Sequence, residues 1–269
     1  MIVTDLHLHS SHSGDCKEPM EAVAESAIEL GLKEICFTEH YDMDYPQEED
    51  CDFTLDTDEY LKHFKSCKKS FEGRIKLLFG VELGLQPHLA ESLRDYSASY
   101  PFDFIIGSSH LANGKDPYLP SYFEGRSERE AYLEYFESIL ECVNCFDDFD
   151  VYGHLDYVVR YGPNKDKYYS YGAYAEVLDE ILKKLIEKGK GIEVNSGGFA
   201  HGLDHPNPRQ EILKRYRELG GEILTTGSDA HSAGRAGYRF GDLEELIKGA
   251  GFEYITVFEN RRPRFLRLG

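Results

Sequence analysis

Short apolar runs alternate with amphipathic segments along the whole chain. The strand-like runs are IVTDLHLH (2–9), EICFTEH (34–40), IKLLFGVE (75–82), DFIIGSSH (103–110), DVYGH (150–154), IEVN (192–195) and EILTTGSDAH (222–231). The segments between them have helical periodicity. PMEAVAESAIEL stops at Gly31, DTDEYLKHFKSCKKSF opens on Asp56 or Thr57 as N-cap, and HLAESLRDYSAS, SEREAYLEYFESILECVNCF, YGAYAEVLDEILKKLIEKG and NPRQEILKRYRELGG follow. This rhythm predicts βα units on a parallel sheet. Seven units are clear; DLEELIKGAG and the short run YITVFEN (254–260) leave an eighth strand open. No Pro/Ser-rich linker or low-complexity tract divides them, so residues 1–269 read as one α/β domain. The longest irregular stretches, 41–56, 111–127 and 197–208, directly follow strands and are expected to act as lids and specificity loops.

With 41% hydrophobic and 13% aromatic residues, the chain can fill a large core. No apolar run approaches the roughly 20 residues of a membrane span. The N-terminus lacks a basic segment followed by an apolar one, and its first strand already carries His7 and His9. A soluble, unprocessed, cytoplasmic protein is expected. The net charge of −19 opposes contact with nucleic acid or an anionic membrane, while a small anionic substrate remains compatible because divalent cations reverse the local sign. Six cysteines in this length do not make a disulfide scaffold, and the lone C-x-x-C, Cys142 to Cys145, reads as helix packing.

Six of the strand-like runs end in residues of metal-ligand type: His7 and His9, His40, Glu82, His110, His154, and Asp229 with His231. The carboxyl ends of the strands of an α/β barrel share one face, so these residues can converge. His7 and His9 lie two apart and point the same way, as do Asp229 and His231. A single H-x-H is weak, with about 0.4 expected by chance at this histidine content. The sum is stronger, because six of the eleven histidines sit at strand ends. Imidazole with carboxylate suits zinc, manganese or iron better than magnesium or calcium. Glu82 is the natural bridging carboxylate, and Asp15, in the loop SHSGD, can bend over the mouth.

The ordered set DLHLHSSHSGD, FTEH, GVELG, IIGSSHL, YGHLDYVVRYG, EVNSGG and TTGSDAH resembles the polymerase-and-histidinol-phosphatase (PHP) superfamily. The loop PSYFEGRSEREAYLEYFE and the run GHLDYVVRYG resemble more narrowly its histidinol-phosphate phosphatases. The resemblance covers essentially the whole chain. It implies a distorted (β/α)7 TIM-like barrel forming a single metal-dependent phosphoesterase domain with three divalent transition-metal ions (Zn, Mn or Fe). Carried over by position, His7, His9, Glu82 and Asp229 hold one metal; Glu82, His110 and His154 a second; Asp15, His40 and His231 a third. Arg160 is implied to grip phosphate, which suits a guanidinium fork. Asn195 ends the sixth strand and is a candidate for substrate contact. One departure stands out: an arginine expected after the sixth strand is Ala200, and His201, Arg209 or Arg235 are the candidates to compensate.

The reaction so implied is hydrolysis of a small phosphomonoester, L-histidinol phosphate, to L-histidinol and phosphate in histidine biosynthesis. A metal-bridging hydroxide attacks phosphorus, and Arg160 stabilises the transferred charge. His12 and Glu39 are neighbours of ligands in sequence, and neither is favoured as the acid for the leaving group; Glu39 is also a candidate substrate contact. Alternatives stay open: a nucleotide or other small phosphate ester as substrate, an amidohydrolase-like barrel, or a metal-stabilised binding module. The amidohydrolase reading wants a lysine where this chain has Ser109-His110.

Overall fold

The computed structural model describes residues 1–46 and 52–269; part of the predicted 41–56 lid thus lies outside the described residues. Seven parallel strands follow chain order around the sheet: β1 (Thr4–Leu8), β2 (Glu34–Tyr41), β3 (Lys76–Gly84), β4 (Phe104–Ser108), β5 (Val151–Tyr152), β6 (Gly191–Asn195) and β7 (Leu224–Gly227). Their connections carry α1 (Met20–Glu29), α2 (Thr57–Ser70), α3 (Ala90–Ser99), α4 (Glu128–Cys145), α5 (Ala175–Glu187), the single turn α6 (Gly197–Ala200) and α7 (Gln210–Glu218); α8 (Phe240–Gly249) follows β7. The helices start where the sequence marks them. Asp56 caps α2 through the Glu59 amide at 3.0 Å, and Ser127 with Glu130 forms a reciprocal capping box on α4. Cys142 is buried in the core, as a packing role predicts, whereas Cys145 is exposed and does not pack.

The strands are buried on both faces, which is why their sequences read as near-continuous apolar runs. One core lies between strands and helices. A smaller one fills the barrel interior with Leu6, Cys36, Leu78, Phe104, Ile106 and Val151. YITVFEN is a strand, β8 (Tyr254–Glu259), outside the barrel sheet. It pairs antiparallel with β9 (Arg262–Arg267), which the sequence pattern missed, through a turn whose Asn260 and Arg261 both have positive φ. This hairpin plugs the end where the strands begin. Phe258 stacks on Phe104 with centroids 5.2 Å apart, and Val257 joins the interior core. Charged residues at the strand starts hold it. Asp150 accepts from Arg261 at 2.6 Å, Glu34 from Arg264 at 2.7 Å, and Lys76 donates to Glu259 at 2.9 Å.

β1 and β7 close the ring without a regular ladder. The Asp229 amide donates to the His7 carbonyl at 2.8 Å and the His9 amide to the Ala230 carbonyl at 3.1 Å. Below them, fully buried Asp5 accepts from the Ser228 amide (2.9 Å), the Ser228 hydroxyl (2.5 Å) and the Gly237 amide (2.8 Å), joining the first strand to the chain after the last.

Candidate metal centre

At the opposite end, nine side chains from six strands and one loop converge. His7, His40 and Glu82 project from β1, β2 and β3 themselves. His9, His110, His154, Asp229 and His231 sit one to four residues past a strand end, and Asp15 reaches in from the β1–α1 loop. Asp229 has φ +56, a left-handed conformation that aspartate tolerates better than most residues. There its amide serves the seam while its carboxylate faces the cluster.

Glu82 stands at the centre, fully buried. Its Oε2 is 3.0 Å from His7 Nε2, 3.6 Å from His9 Nε2 and 3.1 Å from His40 Nδ1. Its Oε1 is 2.9 Å from His154 Nε2 and 3.2 Å from His110 Nε2. Each oxygen therefore addresses a different set of imidazoles. Asp229 Oδ1 lies 3.4 Å from His9 Nε2 and 3.6 Å from His7 Nε2. On the outer side, Asp15 Oδ2 is 3.1 Å from His231 Nε2 and 3.6 Å from His40 Nε2.

These separations fit divalent ions. Donors sharing a tetrahedral ion at 2.0–2.2 Å are about 3.3–3.6 Å apart, and sets such as His7, His9 and Glu82, or Glu82, His110 and His154, keep their donor atoms within 4.8 Å. The buried His9 Nε2 has no hydrogen-bond partner, only carboxylate oxygens at ligand-to-ligand spacing. Four of the histidines have their far ring nitrogens anchored, which fixes tautomer and ring orientation; His154 Nδ1 has no such partner among the described residues. His7 Nδ1 faces Glu193 Oε1 at 2.7 Å, His110 Nδ1 faces Asp42 Oδ1 at 2.7 Å, His9 Nδ1 meets Ser13 Oγ at 3.1 Å, and His231 Nδ1 meets the Asp229 carbonyl at 3.0 Å.

The charge balance of the metal-free cluster follows. Burial would push the Glu82 carboxyl up, but His7, His110 and His40 around it hold it well below the usual carboxylate range. Against burial, the Asp15 and Asp229 carboxylates raise the His231 imidazole to about 9. The site thus holds protons in places where cations fit.

Arg160 lies in a 3-10 turn, Tyr157–Arg160, and is buried beside the cluster. Nε donates to Asn207 Oδ1 at 2.8 Å, Nη1 to Asp229 Oδ2 at 2.8 Å and Nη2 to Asn195 Oδ1 at 3.0 Å. A guanidinium has five N–H groups, so two remain for a ligand in the cleft. That cleft, about 530 Å³, is lined by Asp15, His40, His110, His154, Arg160, Asp229 and His231, and further by Asp116, Tyr118, Tyr157, Tyr161, His201, Arg235 and Tyr238.

Residues 5–197 match the PHP domain model, well over half of the chain. The chain belongs to the PHP domain family. It is 35% identical to a histidinol-phosphatase of Lactococcus lactis over 96% of this chain and 95% of that protein. It is 32% identical to a probable histidinol-phosphatase of Clostridium acetobutylicum over 98% and 100%. The crystal structure of the histidinol phosphate phosphatase of L. lactis, complexed with zinc, L-histidinol and phosphate, superposes with a TM-score of 0.89 at 33% identity, covering 97% of this chain and 98% of that one. The PHP match ends before Asp229 and His231, and the β1–β7 seam returns both to the rest of the cluster.

Within this PHP barrel, all nine sequence-derived ligand candidates meet at one mouth. Three other expectations need correction. Glu39 does not face the cleft: its buried carboxylate accepts from the Ser10 amide (3.0 Å), the Ser10 hydroxyl (2.5 Å) and the Ser13 hydroxyl (2.6 Å). Asn195 is also absent from the cleft wall and instead holds Arg160. Of the residues considered as substitutes for arginine at Ala200, Arg209 is committed to the Tyr169 carbonyl and Glu211. His201 lines the cleft, but an imidazole carries no permanent charge to replace a guanidinium. Arg235 lines the cleft and stays exposed. Asp42, Glu193 and Asn207 support the site without standing out as candidates in the sequence. Asp42 shares the register of His40 two residues before it, and Glu193 is the one charged residue inside the apolar IEVN run. The glycines beside these residues are also informative. A Cβ on Gly84 would collide with the Asp42 carboxylate, and one on Gly227 with Glu193 and His7.

Proposed function

We propose that this protein is a metal-dependent phosphomonoesterase that hydrolyses L-histidinol phosphate to L-histidinol and phosphate. The observation that carries the reading is the single mouth where the nine-donor cluster meets a buried arginine with two spare N–H groups, in a chain alike over its full length to histidinol-phosphatases. The nine candidates are assigned as ligands of three divalent ions, zinc, manganese or iron. His7, His9, Glu82 and Asp229 hold one, Glu82, His110 and His154 the second, and Asp15, His40 and His231 the third. Such ions supply Lewis acidity toward the phosphate oxygens and lower the pKa of water toward neutrality.

The chain's own groups perform the rest. Arg160 offers its two free N–H groups to phosphate oxygens, and Asn195, Asn207 and Asp229 fix the plane of its fork. Its charge is permanent, since neighbouring Asp229 drives its pKa up despite burial. Pre-set donors of this kind stabilise the charge that grows on the transferred group. Asp116, buried at the cleft wall and bonded to Tyr45, offers a carboxylate to the cationic end of an amino alcohol. Tyr118, Tyr157 and Tyr161 supply ring faces for an imidazole.

A second reading keeps the chemistry with another small phosphate ester, and Ala200 in the cleft wall favours it. The test is kcat/KM of the metal-loaded protein for L-histidinol phosphate against nucleoside monophosphates. Preference for histidinol phosphate by a hundredfold or more is expected; a preference for nucleotides overturns the substrate assignment. Retention of full activity in His110→Ala or Asp229→Ala overturns the metal mechanism itself.

A further inference from the structure

Two histidines outside the cluster face each other. His12, in the β1–α1 loop, and His63, on α2, bring Nε2 and Nδ1 to 2.8 Å, with ring centroids 5.1 Å apart. The other nitrogen of His63, Nε2, lies 2.9 Å from Glu21 Oε1 on α1. A carboxylate on the far nitrogen of an imidazole is the arrangement that orients metal-binding histidines. Glu59 precedes His63 by one helical turn on the same face of α2 and is among the charges acting on His12. None of these four residues lines the catalytic cleft.

We propose that His12 and His63 form a separate, peripheral site for a divalent transition metal of the zinc type, with Glu59 as third protein ligand and Glu21 orienting His63. Two nitrogens bound to tetrahedral zinc at 2.0–2.1 Å are about 3.3 Å apart. The facing nitrogens must separate by about 0.5 Å, and both half-buried rings must turn so that their lone pairs converge on the ion rather than on each other. Without a metal, one ring must donate its N–H to the other, so the pair shares a single proton that a cation replaces. His12 rests on the Tyr60 ring at 5.3 Å, and burial holds it below the ordinary imidazole value, so it is a neutral donor at pH 7. The imidazole pair selects zinc, nickel or copper over magnesium. His12 is midway between His9 and Asp15, so an ion here ties the loop bearing two catalytic-site ligand candidates to α2. Excess zinc would stiffen the rim of the cleft from outside.

The test uses the full-length holoenzyme with its resident metals, dialysed against graded free Zn²⁺ and analysed for metal per chain. Wild type is expected to bind one equivalent more than His63→Ala, whose kcat/KM at low free zinc stays within twofold of wild type. Glu21→Gln should retain the extra ion with a tenfold or greater loss of affinity. The extra equivalent should raise the thermal midpoint of wild type by a few degrees and leave that of His63→Ala unmoved. Equal stoichiometry and equal midpoint shifts in wild type and His63→Ala overturn the proposal, and so does displacement of the extra zinc by millimolar Mg²⁺. These readouts count ions and do not depend on which phosphate ester is the substrate.

Discussion

Replacing Glu193 by glutamine keeps the size and shape of the side chain and removes what it does. Oε1 sits 2.7 Å from His7 Nδ1, while Oε2 accepts from the His154 amide at 2.9 Å and from Asn195 Nδ2 at 3.0 Å. Every neighbour is thus a donor, and only a carboxylate accepts on both sides. If the glutamine oxygen faces His7, its NH₂ meets two donors, each left unsatisfied at about 1–3 kcal/mol. If the NH₂ faces His7, the imidazole must carry its proton on Nε2, the nitrogen aimed at Glu82, and His7 is lost as a ligand. Either orientation weakens metal binding by the 10- to 100-fold typical of lost support behind a ligand, about 1.4–2.8 kcal/mol. Competition with a calibrated chelator, followed by metal analysis, measures the change directly. Activity at limiting metal should fall in parallel and recover largely when metal is in excess. Wild-type metal affinity in Glu193→Gln would refute the reasoning, because the buried carboxylate would then have no role in presenting His7.

Three further outcomes are expected. Arg160→Lys keeps a positive charge and loses the fork held by Asn195, Asn207 and Asp229, so kcat should drop by about 10²–10³; steady-state kinetics check this, and a loss below fivefold would contradict it. In the metal-free protein a proton joins His231 to Asp15, with the imidazole raised from 6.5 to about 9. That contribution to apo stability is full below pH 6.5 and vanishes as pH climbs through about 9. Metal entry must expel the same proton, so affinity at this position should increase from pH 7 to about 9 and then level off; calorimetry in buffers of different ionisation enthalpy would detect the released proton, and a flat pH profile would exclude it. Arg261→Ala strips buried Asp150 of its partner at the closed end of the barrel. Because Arg261 is itself a quarter exposed, a loss of about 1–3 kcal/mol in stability is expected, seen as a lower thermal midpoint with kcat unchanged at 25 °C; an unchanged midpoint would count against the clamp.

The barrel and the convergence of its candidate ligands were legible because two periodicities agree. Helical spacing between apolar runs fixed the βα order, and the two-residue repeat of a strand aimed His7 with His9 toward one side. Even β5, reduced to Val151–Tyr152, could be placed, since its run leads directly to His154. What stayed hidden depends on partners distant in sequence. Glu39 and Asn195 are polar residues at the ends of apolar runs, and only packing shows that one serves Ser10 and Ser13 while the other serves Arg160. Asp42 and Glu193 matter through imidazoles 68 and 186 residues away, respectively. The hairpin was half visible. Tyr254–Glu259 has strand character, but the exposed, arginine-rich Arg262–Arg267 has no apolar alternation to announce it.

The seam between β1 and β7 also imposes an order in time. Its hydrogen bonds join His7 and His9 to Asp229 and Ala230, which are synthesised more than 200 residues later. Asp5 likewise waits for Ser228 and Gly237. A nascent chain can lay down β1 to β6 and still present an open row of imidazoles without its last carboxylate. Tight metal capture therefore waits for the last barrel strand, and the seam makes cofactor loading a report that the ring has closed.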